Sequence, residues 1–315
     1  MIVLQTLVQD ATAGDPMGGT RWTRKTLRLL AQQLKRKRLA VSHETVRRLL
    51  GVLNYSLRTN RKRQTKKQEP NRDRQMRLIQ RTRRRFLKAK RPVISVDTKK
   101  KELIGNFKNV GRTWRTAALD VLTTDFLSDA DAKAVPFGIY DVAANAGLVV
   151  VGVSHETAAF AVAAIRTWWR RIGRVRYAGQ DQLLIEADCG GPNRKGSWLW
   201  HAALQALADE FGLTITIRHL PPSASKWNLI EHRLFSAISD HWAGQPLLNL
   251  ETVLKFIRST KTTTGLRCAA YLDRRVYAIS LNVTRAEYAL IRLQRHRIFP
   301  DWNYTISPHP SPSAQ

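Results

Sequence analysis

One short segment, from Pro92 to Asp97, most constrains the fold, because it has the character of a buried strand that ends on a carboxylate. Its residues are mostly apolar and β-branched, and a polar turn follows them, a pattern typical of a strand inside a sheet. Open α/β sheets place their sites at the carboxyl ends of strands, so Asp97 is a candidate site residue. Two later segments, 183–188 and 226–231, also end on carboxylates that could join it.

The pattern after Asp97 predicts the element order of an α/β domain. A basic turn and a strand are predicted near 98–107, strands at 137–142 and 148–153, a buried helix at 157–169, a strand at 183–188, a helix at 197–211, a strand at 213–220 and a helix at 226–242. Antiparallel strands followed by parallel crossovers indicate a ribonuclease-H-like mixed five-stranded sheet with flanking helices. The first and fourth strands are neighbours in such a sheet, so Asp97 and Asp188 are expected to converge.

The helix predicted at 226–242 supplies a third carboxylate. Its expected core-facing stripe consists of Trp227, Ile230, Leu234 and Ile238. Asn228 and Glu231 are three residues apart, share an adjacent face and are expected to point at the acidic pair. Crowded carboxylates repel each other unless a cation joins them, and hard divalent cations prefer oxygen ligands. We therefore expect Asp97, Asp188 and Glu231 to hold two Mg²⁺ ions, with Mn²⁺ as a substitute and Asn228 as a supporting residue.

Other acidic residues are alternative ligands when only spacing is considered. They are Asp120, Asp141, Asp181 and Glu186. Glu186 is the strongest alternative, because it alternates with Asp188 along the strand and so shares its face of the sheet. A single aspartate at the end of a strand is also more often a turn or capping residue than a ligand. Spacing alone leaves the choice open.

The charge of the chain indicates its partner. The net charge is +29 and the pI is near 11.1, and residues 21–91 contain 26 lysines and arginines but only 3 acidic residues. This excess is larger than solubility requires and indicates a polyanion, nucleic acid before a membrane surface. The two cysteines exclude a disulfide framework, and no apolar run approaches the ~18 residues of a membrane span. We expect a cytoplasmic protein without a membrane partner, associated with the nucleoid when bound to DNA.

The amino-terminal region has the pattern of a helix-turn-helix. Residues 27–34 and 46–53 place apolar side chains at helical spacing on either side of a basic turn, and Ser42 stands where an N-cap is expected. An ordinary helical hairpin is the alternative, and the surrounding charge favours DNA binding. The residues expected to face the major groove or its phosphates are Ser42, His43, Thr45, Arg47 and Arg48.

Four regions are predicted along the chain. They are a helix-turn-helix module at 1–60, a basic linker or helix at 61–91, a catalytic domain at 92–245 and an accessory region at 246–315, whose Pro/Ser tail after Ile306 is expected to be disordered. Basic residues in the linker and beside the proposed acids are expected to contact DNA phosphates, with a solvated surface as the alternative. These residues are Arg61, Lys62, Arg63, Lys99, Lys100, Lys226, His232 and Arg233.

Several long strings of residues are specific enough to indicate a family. They are Val93-Ile94-Ser95-Val96-Asp97-Thr98-Lys99-Lys100-Lys101-Glu102, Gly105-Asn106-Phe107-Lys108-Asn109, the segment from Pro221-Pro222 through Ser225-Lys226-Trp227-Asn228 to Glu231-His232-Arg233-Leu234-Phe235, and Trp302-Asn303-Tyr304-Thr305-Ile306. Together they resemble the Rhodopirellula-type DDE transposases of bacterial insertion sequences. The resemblance covers nearly everything from about Gly14 onward.

The resemblance implies a DDE triad of Asp97, Asp188 and Glu231 on a ribonuclease-H-like fold, and so favours Asp188 over Glu186. The implied chemistry is Mg²⁺-dependent hydrolysis at the ends of the element, followed by attack of the freed 3′ hydroxyl on target DNA. The implied partners are double-stranded DNA, as terminal repeats and target, and further copies of the chain. The amino terminus is short for the family, which predicts a further DNA-binding segment upstream. A nuclease without strand transfer, or a non-catalytic repressor from a truncated element, is the alternative function.

Overall fold

A computed structural model shows the chain as two units, Met1–Lys66 and Lys67–Gln315. The structure describes residues 1–9, 12–14, 21–23, 25–57, 69–222, 224, 227–279 and 281–310. Four of the basic residues predicted to contact DNA lie outside these ranges. They are Arg61, Lys62, Arg63 and Lys226.

Three short helices form the core of the amino-terminal unit. They are α1 (Ile2–Gln9), α2 (Leu27–Arg36) and α3 (His43–Val52). Their buried side chains meet in one apolar cluster of Leu4, Leu7, Val8, Leu30, Leu34 and Val46. The helices α2 and α3 match the predicted pair. Ser42 is the N-cap of α3, because its Oγ accepts a hydrogen bond from the Thr45 amide at 3.1 Å. The sequence pattern does not predict α1, because 8 residues are too few to establish helical spacing.

The amino-terminal unit also contains two strands, which corrects the prediction of an all-α module. They are β1 (Thr12–Gly14) and β2 (Arg21–Thr23), and they pair antiparallel. Each has 3 residues, too few for an alternation of apolar and polar residues to be recognised.

The larger unit is built on one mixed sheet. Its strands are β3 (Val93–Thr98), β4 (Glu102–Ile104), β5 (Ala132–Asp141), β6 (Ala146–Gly152), β7 (Gln182–Ala187), β8 (Thr214–His219), β9 (Arg267–Asp273), β10 (Leu293–Arg295) and β11 (Asn303–Ile306). In the described part of the chain the order across the sheet is β10-β11-β8-β7-β3-β5-β6-β9, and β4 pairs with β5. Strand β3 is antiparallel to β5 and parallel to β7, and β7 is parallel to β8.

Strands β3, β5, β6, β7 and β8 form the predicted ribonuclease-H-like arrangement, with β3 beside β7 as expected. The described sheet has nine strands rather than five. Strand β9 extends the sheet beyond β6, and β11 and β10 extend it beyond β8. The strand predicted near 102–107 is the short β4. Strands β4, β10 and β11 have 3, 3 and 4 residues, too few for a clear alternating pattern.

Helices cover both faces of the sheet. The helices α5 (Ala158–Trp168) and α7 (Trp198–Phe211) pack on one face together with Ile94 and Val96 of β3. Ser95 and Asp97 alternate with these residues and so point to the opposite face. That second face carries α4 (Arg72–Lys88), a π-helical turn (Glu231–Phe235) continuing into α8 (Ser236–His241), and α9 (Leu250–Ser259). The short helices α6 (Arg174–Arg176) and α10 (Arg285–Ala289), a second π-helical turn (Trp169–Gly173) and the 3₁₀ turns Leu127–Asp129 and Gly191–Asn193 complete the described helices.

None of the helices within the described ranges is both long enough and apolar enough to span a membrane.

The residues after Ile306 are held against α7 as far as residue 310. The His309 amide donates to Asp209 Oδ1 at 2.7 Å, and Arg292 Nη1 donates to the Pro308 carbonyl at 2.6 Å. The tail was expected to be disordered from residue 307, because its composition is rich in proline and serine. These hydrogen bonds order residues 307–310, and residues 311–315 lie outside the described part of the chain.

Candidate active site

Asp97 lies near the carboxyl end of β3, and hydrogen bonds hold both of its carboxylate oxygens. The Thr98 amide donates to Oδ1 at 2.8 Å, and Asn228 Nδ2 donates to Oδ2 at 2.8 Å. Ser95, on the same face of β3, donates its hydroxyl to Asn228 Oδ1 at 2.8 Å. Asn228 is buried, so the Ser95–Asn228 pair fixes the orientation of the Asp97 carboxylate.

Asp188 follows directly after β7, the parallel neighbour of β3. The register pairs Val96 with Ala187, so the next residues, Asp97 and Asp188, emerge side by side from the same edge of the sheet. Among the described residues, Asp188 Oδ1 is buried and accepts no hydrogen bond. A buried carboxylate oxygen without a donor is unfavourable unless another group, such as a cation, contacts it.

Glu231 begins the π-helical turn that packs across β5 and β6. Two glycines permit this close approach. A Cβ on Gly138 would lie less than 3.0 Å from Phe235, and one on Gly147 would lie less than 3.0 Å from Leu234. The apolar face of the helix is therefore in direct contact with the sheet. This contact fixes the distance between Glu231 and the carboxyl ends of the strands.

The pKa values of the three acidic side chains are all raised. Burial, followed by the charges on Asp188 and Glu231, raises the pKa of Asp97 to about 8, although the hydrogen bonds from Thr98 and Asn228 lower it. Burial raises the pKa of Asp188, contacts with the Gly190 amide and the Asn193 side chain lower it, and the charges on Glu156 and Glu231 raise it further. Burial also raises the pKa of Glu231, whereas the charge on Lys99 lowers it. The site therefore concentrates negative charge that a bound cation would relieve.

The chemistry of this donor set fits a hard divalent cation. Mg²⁺ and Mn²⁺ prefer oxygen ligands, and all three side chains are carboxylates. The buried, unpartnered Oδ1 of Asp188 is available as a ligand. Within the described ranges, no three His, Cys, Asp or Glu side chains are already drawn together as tightly as the ligands of a metal ion.

Glu186, the strongest alternative on sequence, is engaged in an ion pair. Its side chain is buried, and Arg83 of α4 binds it through two contacts, Nε to Oε1 at 2.8 Å and Nη2 to Oε2 at 2.6 Å. A bidentate arginine pair of this kind satisfies both carboxylate oxygens. Glu186 therefore joins α4 to β7, and it is not a free ligand beside Asp188.

The other alternative acids lie away from Asp97. Asp141 pairs with Ile94 across β5 and β3, at the opposite end of β3. Its carboxylate accepts hydrogen bonds from Arg176 at 2.9 Å and from Tyr177 at 2.7 Å. Asp120 and Asp181 are exposed, and Asp181 precedes β7 at the end opposite to Asp188.

The five residues predicted to face DNA in the helix-turn-helix lie at the start of α3. Ser42 caps the helix, and its hydroxyl is also 3.0 Å from that of Thr45. His43 and Arg48 are exposed, and Arg47 is exposed but bonded through Nε to Glu44 Oε1 at 2.8 Å. The cluster presents two hydroxyls and three basic side chains on one short segment.

The basic residues predicted around the acids have different environments. Lys99 is buried, forms an ion pair with Glu102 at 2.6 Å, and its ammonium lies 4.5 Å from the centre of the Trp242 ring. Its ammonium is therefore engaged with Glu102 and Trp242, and its charge acts on Glu231. Lys100, His232 and Arg233 are exposed.

Trp227 departs from the predicted core-facing stripe. It is 40% exposed, and the Arg72 guanidinium lies 5.3 Å from the centre of its ring. Ile230, Leu234 and Ile238 are buried as predicted. Trp227 and Asn228 precede the regular helix, and the wider π-helical turn shifts its phase, so extrapolating helical spacing back to Trp227 is wrong.

Two residues near Asp188 have no clear signal in the sequence. The charge of Glu156 raises the pKa of Asp188, and Glu156 pairs with Lys101 at 2.9 Å. His219, at the end of β8, places its Nδ1 2.7 Å from the Asp188 carbonyl oxygen. The alternation of 213–220 predicts the strand that carries His219, but only the strand pairing reveals that contact.

The family model for the Rhodopirellula transposase DDE domain matches residues 3–308. Among solved structures, the chain is similar to the Mos1 transposase paired-end complex with left transposon end, at 16% identity and a TM-score of 0.45 over 81% of this chain and 68% of that one. It is also similar to the Mos1 mariner paired-end complex with Mn, at 16% identity and a TM-score of 0.43 over 81% and 69%. A comparison with curated proteins gives no match.

Proposed function

The chain belongs to the Rhodopirellula family of DDE transposases, metal-dependent enzymes that cut and join DNA, and from this premise we propose how it acts. Asp97, Asp188 and Glu231 hold divalent cations, two Mg²⁺ ions or Mn²⁺ in their place, for cleavage at the element ends and for strand transfer into target DNA. The amino-terminal unit binds the terminal repeats.

The observation that carries this proposal is the raised pKa of three carboxylates that come from separate segments of the chain. The residues come from β3, from the loop after β7 and from the π-helical turn. Burial raises all three pKa values, and like charge adds to the rise for Asp97 and Asp188. The unpartnered Oδ1 of Asp188 adds a buried acceptor that is open to a cation. Such a cluster is unfavourable in a metal-free protein, which supports a role in binding metal.

When bound, a pair of Mg²⁺ ions would activate the attacking oxygen and stabilise the leaving 3′ oxygen of DNA. The protein supplies the positions of the ligands. Asn228 and the Thr98 amide orient Asp97, so that the remaining lone pairs of its oxygens are directed toward the site. The nearby charge of Lys99 favours the ionised form of Glu231, which is the form that binds metal.

DNA binding is supported by the charge and by the start of α3. The net charge of +29 provides the sequence-independent attraction to phosphates. The exposed His43, Arg47 and Arg48 follow the capped turn in the position that a recognition helix uses in the major groove. Phosphates near the cleaved strand contact four further basic residues, Lys100, Lys226, His232 and Arg233. Holding the two ends of the element together requires more than one copy of the chain.

The test compares two aspartates at opposite ends of one strand. Asp188→Asn and its matched control Asp181→Asn are incubated with Mg²⁺ and labelled element-end DNA. The strand β7 separates the two positions by roughly 20 Å. The control therefore removes the same charge without altering the site. We expect Asp181→Asn to cleave and join like the wild type, and Asp188→Asn to do neither.

Other outcomes identify the alternatives. Wild-type cleavage without joined products would indicate a nuclease. DNA binding without any metal-dependent cutting would indicate a repressor. Equal activity of Asp188→Asn and the wild type would refute the assignment of the triad.

A further inference from the structure

The carboxyl-terminal strand β11 reaches the catalytic edge of the sheet through Tyr304. Strand β11 pairs antiparallel with β8, and the register places Tyr304 opposite Ile217. The Tyr304 side chain is buried, and its hydroxyl lies 3.0 Å from His219 Nε2 and 2.9 Å from Trp200 Nε1. These contacts connect the end of the chain to the last residue of β8.

A continuous set of hydrogen bonds leads from Trp200 to the backbone of Asp188. Trp200 Nε1 contacts the Tyr304 hydroxyl, the hydroxyl contacts His219 Nε2, and His219 Nδ1 lies 2.7 Å from the Asp188 carbonyl oxygen. Trp200 and His219 are fully buried, so water does not replace these partners.

The donors and acceptors in this set allow a single direction. The Asp188 carbonyl only accepts, so His219 Nδ1 carries the proton and donates. Neutral His219 then accepts at Nε2, so the Tyr304 hydroxyl donates to it. The indole nitrogen of Trp200 only donates, and it donates to the Tyr304 oxygen. Every member is satisfied, and the tautomer of His219 is fixed by its neighbours.

The backbone of His219 is fixed as firmly as its ring. Its amide donates to the Trp302 carbonyl at 2.8 Å. Its carbonyl accepts from Gln75 Nε2 of α4 at 2.8 Å, and the same amide group exchanges hydrogen bonds with Asn303 at 2.9 and 2.8 Å. Gln75 and Asn303 are both fully buried. The ring of His219 is therefore attached to a rigid junction of α4, β8 and the start of β11.

We infer that His219 and Tyr304 are positioning residues for Asp188, so that the carboxyl-terminal strand takes part in forming the metal site. The hydrogen bond from His219 fixes the peptide carbonyl of Asp188, and with it the direction in which the carboxylate leaves the main chain. The inference rests on the proposed function of Asp188 as a metal ligand. It gives Tyr304 of β11 a positioning role in addition to its place in the sheet.

Two substitutions at His219 separate positioning from packing. In His219→Asn the side-chain amide nitrogen stands where Nδ1 stood and can still donate to the Asp188 carbonyl. In His219→Gln the longer side chain matches the volume of histidine better, but its amide lies at the position of Nε2. A packing role favours the Gln variant, and a positioning role favours the Asn variant.

A second pair of variants tests the hydroxyl of Tyr304. Tyr304→Phe removes the hydroxyl and keeps the ring. Tyr288→Phe is the matched control, because its hydroxyl also contacts a histidine nitrogen, Nδ1 of His201 at 2.9 Å, but no hydrogen bond among the described residues connects it to Asp188. All variants are prepared as the full chain, and their thermal unfolding is recorded to verify that each is folded.

The readout is the dissociation constant of Mn²⁺, measured by isothermal titration calorimetry without DNA. We expect His219→Gln and Tyr304→Phe to weaken Mn²⁺ binding by roughly 10-fold, the lower end of what loss of an outer-shell partner produces. His219→Asn and Tyr288→Phe should bind Mn²⁺ like the wild type.

Asp188→Asn is included to separate the two claims. If it loses Mn²⁺ binding while folded His219→Gln binds like the wild type, or if the Asn and Gln variants lose affinity equally, the positioning role is refuted and the metal site stands. If Asp188→Asn itself binds Mn²⁺ normally, the proposed function and this inference both fail.

Discussion

Replacing Asp97 with asparagine should stabilise the metal-free protein, although it removes a proposed catalytic residue. The pKa of Asp97 is raised from its ordinary value of 3.8 to about 8. A carboxyl with a raised pKa contributes stability that is fully present below its unfolded pKa and is lost as pH rises through its folded pKa. Between about pH 4 and about pH 8 the metal-free wild type should therefore lose more stability than Asp97→Asn, in which the raised pKa values of Asp188 and Glu231 remain.

The size of the effect follows from the same pKa values. The difference between 3.8 and about 8, at about 1.4 kcal/mol per pH unit, gives an upper limit of about 6 kcal/mol above pH 8. At about pH 5 the corresponding penalty is only about 1.6 kcal/mol. Because Asp97 is partly accessible to solvent, which screens its charge, we expect about half of the difference, so that the advantage of the variant grows by roughly 2 kcal/mol.

The hydrogen bonds of the site can adapt to the substitution. The Asn228 amide can rotate so that its oxygen accepts from the new Asn side chain, and the Ser95 hydroxyl can then accept from Asn228 Nδ2. The Thr98 amide keeps its acceptor. The gain from removing the charge is therefore not cancelled by an unpaired buried amide.

The assay is urea unfolding in EDTA at about pH 5 and about pH 8.5, with Asp181→Asn as the control for a change of charge at an exposed position. Added Mg²⁺ should stabilise the wild type and leave Asp97→Asn unchanged, because only the wild type has the complete ligand set. If the advantage of Asp97→Asn in EDTA does not increase with pH, the account of a repulsive carboxylate cluster is wrong.

Three further substitutions test the surroundings of the site. Arg83→Met leaves Glu186 buried without its partner and should destabilise the protein by roughly 3 kcal/mol in urea unfolding, whereas an unchanged midpoint would contradict the buried ion pair. Gly147→Ala forces the added methyl against Leu234, so it should lower the free energy of unfolding by about 1–3 kcal/mol and weaken Mn²⁺ binding. Wild-type stability together with wild-type Mn²⁺ affinity would show that the position of Glu231 does not depend on this close approach. Ser42→Ala removes the N-cap of α3 and should cost about 1 kcal/mol, measured by thermal unfolding, with no loss expected if the cap is unimportant.

The elements that position Asp97 and Asp188 could be predicted because each has a strong local pattern. Strand β3 is a short apolar run after a proline, and the alternating and apolar segments that follow give an order of elements that places β3 beside β7. The N-cap at Ser42 could be predicted for the same reason, since the capping residue and its partner are three positions apart.

The rest of the site depends on contacts between distant residues, which no local pattern contains. Arg83 reaches Glu186 across 103 positions, and this ion pair is what distinguishes Glu186 from Asp188 physically. His219 and Tyr304 are 85 positions apart, and β11 is only 4 residues long. The sequence pattern underestimates the number of strands, because the added edge strands are short. It also misses the exposure of Trp227, because the π-helical turn changes the helical phase.

The most direct test of the metal site is crystallographic. Crystals of the full chain soaked in Mn²⁺ would be measured for anomalous scattering, with Asp188→Asn crystals treated in the same way. We expect Mn²⁺ peaks bounded by the carboxylates of Asp97, Asp188 and Glu231 in the wild type and a loss of those peaks in the variant. Mn²⁺ bound only at other acidic residues, or bound equally in Asp188→Asn, would contradict it.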